Sequence, residues 1–237
     1  MNLKPVADYR QFCFRKLNTP EFSHLKYLLF WPVFGILFWT LELLRPVEDC
    51  HVMYHPLDDL IPFCEIFVIP YMFWFVYLVG MYLYTLFYDI DTFRRLMKFT
   101  IITYTAALFA YLIYPTCQEL RPVEFAHDNF LTQFMAEFYQ FDSNTNVCPS
   151  IHVMNTVMIF QAVCSLDELK HRKLAIAVHA VIMVLICAST VFLDQHSVID
   201  VVCGVMMSVV VHGLVYKVEW EGELARRKAK PEVRRIS

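Results

Sequence analysis

His196 and Asp200 stand four residues apart in Asp194-Gln195-His196-Ser197-Val198-Ile199-Asp200, where a short polar interruption gives way to a long apolar run. On a helix that spacing puts both on one face, one turn apart. A carboxylate within reach of an imidazole fixes its tautomer and supports it as a base or nucleophile. A second histidine occurs in Cys148-Pro149-Ser150-Ile151-His152, and an arginine in Leu120-Arg121-Pro122. Ser150 is a good N-cap, so the amides around Ile151 and His152 would lie at a positive helix end, where a phosphate fits. Each piece alone has a plainer reading. The His–Asp pair could be a structural hydrogen bond at a helix start, Ser150 only a cap, and Asp194 and Gln195 turn or mouth residues.

The elements that must position these groups are apolar. The chain of 237 residues is 58% hydrophobic and 18% charged, with 21 Phe and 13 Tyr. That composition lies far from soluble norms and predicts a polytopic membrane protein. Eight cysteines include no CxxC pair, which argues against a zinc site or a dense disulfide framework. Cys50, Cys64, Cys117 and Cys148 fall in segments expected to share one side, so a disulfide among them is allowed but not specified.

Apolar runs predict an all-α bundle of six spans, at about 27–44, 66–88, 99–115, 150–166, 174–191 and 197–217. They leave a basic segment 1–26, a membrane domain 27–217 and a charged tail 218–237, expected to be partly disordered beyond its first turns. No cleavable signal peptide is expected, because the first apolar run starts late and lacks a small-residue cleavage site. Lys plus Arg counts along the seven segments between and beyond the spans are 5, 1, 3, 1, 3, 0 and, from Lys217 onward, 7. Basic residues favour the cytoplasmic side. Both termini are therefore expected to be cytoplasmic, with segments 45–65, 116–149 and 192–196 facing the other way. Arg121, Ser150, His152, His196 and Asp200 then cluster at that outer face, as ionisable groups at membrane depth do when they serve a site.

In order and spacing, Arg121-Pro122, Pro149-Ser150-Ile151-His152 and His196-Ser197-Val198-Ile199-Asp200 resemble the motifs of the type 2 phosphatidic acid phosphatase superfamily. The resemblance covers about 114–204. It implies a six-span enzyme of the kind that includes lipid phosphate phosphatases, sphingomyelin synthases and inositol phosphorylceramide synthases. Carried over residue by residue, His196 would be the nucleophile that forms a phosphohistidine and Asp200 its orienting carboxylate. His152 would be the general acid, and Arg121 and Ser150 would bind the phosphate. No metal and no cofactor is implied.

The departures from that pattern narrow the expectation. Where the family has Lys before its Arg-Pro, this chain has Tyr114, and where it has Ser-Arg, Ser189 is followed by Thr190. Two of three cations are thus absent. A phosphomonoester carries nearly two negative charges, a phosphodiester one. The expectation is therefore an integral-membrane phosphotransferase or phospholipase C-like hydrolase acting on a phospholipid headgroup. Its partners would be a membrane lipid donor and a lipid or water acceptor, with no nucleic acid, and its site would lie on the non-cytoplasmic side of the cell membrane. A lipid phosphate phosphatase on the same scaffold is the alternative. A non-enzymatic scaffold or transporter is the third class, though transporters place polar groups near the midplane.

The acidic segment containing His51, His55, Asp58 and Asp59 fits no metal template. Tyr114, Asp58 and Asp59 are assigned to a headgroup rim, where acidity would suit a cationic group such as choline. His24, His127, His171, His179 and His212 read as surface or packing residues, and the aromatic stripes of 66–88 as membrane-facing or bundle packing.

Overall fold

The computed structural model describes residues 5–44, 50–166, 169 and 171–229, with side chains to residue 215. Arg45, Glu48, Asp49, Asp167, Glu168, Lys170, Arg234 and Arg235 of the charge pattern lie outside the described residues. Among the described residues there are seven α-helices, besides short 3-10 turns: α1 Phe30–Leu44, α2 Val68–Tyr88, α3 Ile90–Ile113, α4 Phe130–Phe141, α5 Ile151–Ser165, α6 Lys173–Phe192 and α7 Val198–Ala229. Two short strands, β1 His51–Val52 and β2 Thr116–Cys117, pair in parallel. The fold is all-α apart from that pair.

Five of the described segments are long and apolar enough to cross a membrane: Ser23–Leu44, Glu65–Tyr88, Ile90–Ile113, Lys173–Phe192 and Val198–Val215. A helix satisfies its own backbone groups, which is what a hydrocarbon surround requires. The run expected as a span at 150–166 is α5, with 15 residues. At 1.5 Å per residue it reaches about 22 Å, short of a hydrocarbon core of about 30 Å. α5 is also the helix the others surround, burying Val153, Met154, Val157, Met158, Ile159 and Val163.

Three boundaries differ from the sequence reading. α3 begins nine residues before 99, because the Asp89 carboxylate accepts from Thr92 N at 3.0 Å and Thr92 Oγ1 at 2.8 Å and caps the helix there. The polar stretch 116–149 contains α4, closed at its start by an Asn129–Thr132 capping box and packed on Val68, Tyr71 and Leu193 through Met135. α7 runs as helix to Ala229, well into the segment expected to lose order.

The loops at one end of the bundle are knitted together. β2 holds β1 on one side and Thr145 on the other, and a disulfide joins Cys50 to Cys117. Cys64 and Cys148 remain thiols. Cys64 N donates to Phe192 O at 2.9 Å and Ser150 N to Asp200 O at 3.3 Å. α7 approaches α5 closely at Gly204, where an added Cβ would lie 3.1 Å from both Ser150 O and Val153 Cβ. That approach sets the start of α7 beside the start of α5.

Candidate active site

The two helix starts bring His152, Ser150, His196 and Asp200 together. The turn between α6 and α7 is fixed at Thr190, whose carbonyl accepts from both Gln195 N and His196 N at 3.0 Å. His196 Nδ1 then lies 3.2 Å from Asp200 Oδ2, and Asp200 is fully buried. A carboxylate only accepts, so Nδ1 carries the proton and Nε2 carries the lone pair. Ser197 N donates to the same Oδ2 at 3.0 Å and steadies the carboxylate.

The His152 ring faces His196 with 5.8 Å between centroids. It is held between Tyr71, at 4.7 Å, and Trp74, at 4.3 Å, both from α2. Its Nε2 is buried with no hydrogen-bond partner among the described residues. Both histidines line a cavity of about 560 Å³, together with Phe38, Trp39 and Glu42 of α1 and with Tyr111, Phe141, Asp142 and Gln195. Among the described residues, no lysine or arginine lines it, whereas two carboxylates do.

Glu42 Oε1 accepts from Ser143 Oγ at 2.8 Å, Thr145 Oγ1 at 3.2 Å and Asn146 Nδ2 at 3.0 Å, tying α1 to the loop before α5. Burial raises the Asp142 carboxyl above its usual range, while Arg121 and His196 nearby act in the opposite direction.

Other sequence candidates stand outside the cavity. Arg121 stands behind its wall. Nη1 donates to Tyr139 O at 3.0 Å and Asp142 O at 2.9 Å, and Nη2 to Ser143 O at 3.1 Å and Gln195 Oε1 at 2.6 Å. The guanidinium also lies 4.4 Å over the Tyr139 ring. Burial lowers its pKa, and Asp142 and Tyr139 oppose that. Ser150 is fully buried and its Oγ accepts from Val153 N at 3.4 Å, a cap on α5.

Nor do the residues assigned to a headgroup rim reach the cavity. Tyr114 stacks on the His51 ring at 3.9 Å, out on the surface. Asp59 accepts from Tyr54 Oη at 2.5 Å, also exposed. Asp58 is turned inward, because its carboxylate takes Ser197 Oγ at 2.6 Å and Val198 N at 2.9 Å and so caps α7 from a distant loop. Beside it, Asp194 has φ 48°, and its carboxyl is pushed up to about 7 by burial and by the Asp58 charge.

Glu42, Asp142, Tyr71 and Trp74 were not legible as site residues, since no local pattern connects α1, α2 or the end of α4 to the two histidines, whereas Gln195, read as a turn or mouth residue, lines the cavity. Among the described residues, no group of three or more His, Cys, Asp or Glu side chains is arranged to hold a metal ion.

Among known families, a model described as the PAP2 superfamily matches residues 95–223, just over half of the chain. No curated protein and no solved structure gives a match.

Proposed function

Because the chain belongs to the PAP2 superfamily, whose members are generally phosphatase enzymes, we propose that it transfers the phosphoryl-linked headgroup of a membrane phospholipid through a phosphohistidine at His196. The observation that carries this reading is the Asp200–His196 contact at 3.2 Å facing His152 across one cavity. The neutral His196 Nε2 attacks phosphorus. As that bond forms, the P–O bond to the leaving alcohol breaks, and His152 gives its proton to the departing oxygen. Asp200 stabilises the imidazolium that forms. In the second half His152 takes the proton of an acceptor hydroxyl, from water or a lipid. The acceptor oxygen bonds phosphorus and the P–N bond breaks, which restores both histidines.

The cavity walls favour a diester over a monoester. Two carboxylates, and among the described residues no lysine or arginine, face the substrate space, which repels a dianion more than a monoanion. Glu42 and Asp142 stand among Phe38, Trp39 and Phe141, a setting that attracts a cationic headgroup by charge and by ring faces. The same walls and histidines would serve a lipid phosphate phosphatase, the second reading, which the family itself supports.

We place the site on the non-cytoplasmic side of the cell membrane, with α5 completing six passes and both termini cytoplasmic. The alternating Lys and Arg counts support this. So does the Cys50–Cys117 disulfide at the site end, because disulfides persist in oxidising compartments.

The test incubates the purified protein with headgroup-labelled phosphatidylcholine, phosphatidylethanolamine and phosphatidylinositol, with and without ceramide or diacylglycerol, beside phosphatidic acid. Label should leave a diester, most readily one with a cationic headgroup, and His196→Ala should abolish it. Rapid phosphate release from phosphatidic acid with all diesters intact would replace this reading by the phosphatase one.

A further inference from the structure

We propose that the Gln195 side chain donates directly to the phosphoryl group, and that Arg121 acts through Gln195 as a positioning residue rather than gripping the phosphate itself. This rests on reading His196 as the nucleophile. The backbone N–H groups of Gln195 and His196 both end on Thr190 O, so neither can reach a substrate oxygen. The donor left at this turn is the Gln195 amide. The residue is 3% exposed, lines the cavity and immediately precedes His196.

The direction of that amide is set by Arg121. A guanidinium only donates, so the arm it meets at 2.6 Å is Oε1, and Nε2 is the arm turned away from it. Nε2 is buried and has no partner among the described residues. Buried donors in folded proteins are otherwise almost always satisfied, and an unmet one costs free energy that a ligand acceptor recovers. Arg121 cannot easily leave its post, because three backbone carbonyls and the Tyr139 ring hold it.

The chain Arg121–Gln195–phosphoryl oxygen is cooperative: the cation polarises the amide and strengthens its N–H as a donor. It brings positive character to the developing charge on phosphorus oxygens while Arg121 itself stays out of the cavity. The sequence departures described above removed two cations, and this relay is a neutral substitute built from a third. It suits a singly charged phosphoryl group.

Orthovanadate, which adopts the geometry of a phosphoryl group in transfer, is the probe, with binding to the full-length protein in detergent measured by calorimetry. Gln195→Glu keeps the shape and the Arg121 contact but replaces the donor by an anionic acceptor, and should weaken vanadate at least about 30-fold. Gln195→Ala and Arg121→Ala should each weaken it about 10-fold. In the Gln195→Ala background Arg121→Ala should add less than about twofold, because the two act as one unit. A purely structural arginine would still show its own loss there. Wild-type affinity in Gln195→Glu, or a double variant that loses the product of the two single effects, overturns the proposal. His196→Ala reports separately on the nucleophile: if it binds vanadate as the wild type does, the reading of His196 fails and this inference with it.

Discussion

Asp58 accepts a hydrogen bond from Ser197 at 2.6 Å although 139 residues separate them. With Val198 N at 2.9 Å and His55 N at 2.8 Å on the same carboxylate, Asp58 caps the helix that starts beside His196. Asp58→Ala is expected to cost about 1–3 kcal/mol and to lower turnover, with Asp58→Asn intermediate. Thermal unfolding in detergent beside turnover checks this. Full activity with an unchanged melting temperature in Asp58→Ala would remove Asp58 from the site's support.

Asp200→Asn retains the volume of the fully buried carboxylate but permits the wrong tautomer of His196. Turnover should fall on the order of 10³–10⁴-fold while the circular dichroism spectrum and melting temperature change little. A loss of less than about tenfold, measured on any accepted lipid, would assign Asp200 to structure alone.

Asp194 gives the protein a pH signature. Its folded pKa, about 7, lies above its ordinary value of 3.8, so the native state holds a proton that the unfolded chain releases. Stability from this group is therefore lost as pH rises from about 4 to about 7. Asp194→Asn should stabilise at pH 8 by about 1 kcal/mol, allowing for partial exposure to solvent, and should be neutral near pH 4. Asn tolerates the positive φ at this position, so melting curves at the two pH values isolate the charge.

Asp142 is the wall carboxylate whose removal disturbs least, since Arg121 meets its backbone carbonyl rather than its side chain. Asp142→Asn should raise KM about 3–10-fold for a lipid with a cationic headgroup and lower it for phosphatidic acid, by the size of one screened charge interaction. Parallel kinetics on the two lipids decide; equal changes for both would exclude charge selection by this wall.

Much of the scaffold was legible because hydrophobic runs and caps are local. The spans near 66–88 and 174–191 fall within a residue or two of Glu65–Tyr88 and Lys173–Phe192. α4 left a readable trace as well, in the Asn129–Thr132 box and the spacing of Leu131, Phe134, Met135 and Phe138, but the surrounding polar residues obscured it. His152, His196 and Asp200 could be nominated because their motifs are short. What could not be read was every contact that closes over distance. Arg121 finds carbonyls 18 to 22 residues later, and Asp58 finds α7. Cys50 chooses Cys117 among the outer-face cysteines, a pairing that spacing does not determine.

Glu42 and Trp39 reach the cavity from α1, and Tyr71 and Trp74 reach His152 from α2, whereas the family match starts only at residue 95. The cavity is therefore built in part from residues outside the stretch matched to the family. Substitutions at Glu42 or Trp39 change the cavity wall without touching either histidine ring, whereas substitutions at Tyr71 or Trp74 loosen the seat of His152 itself.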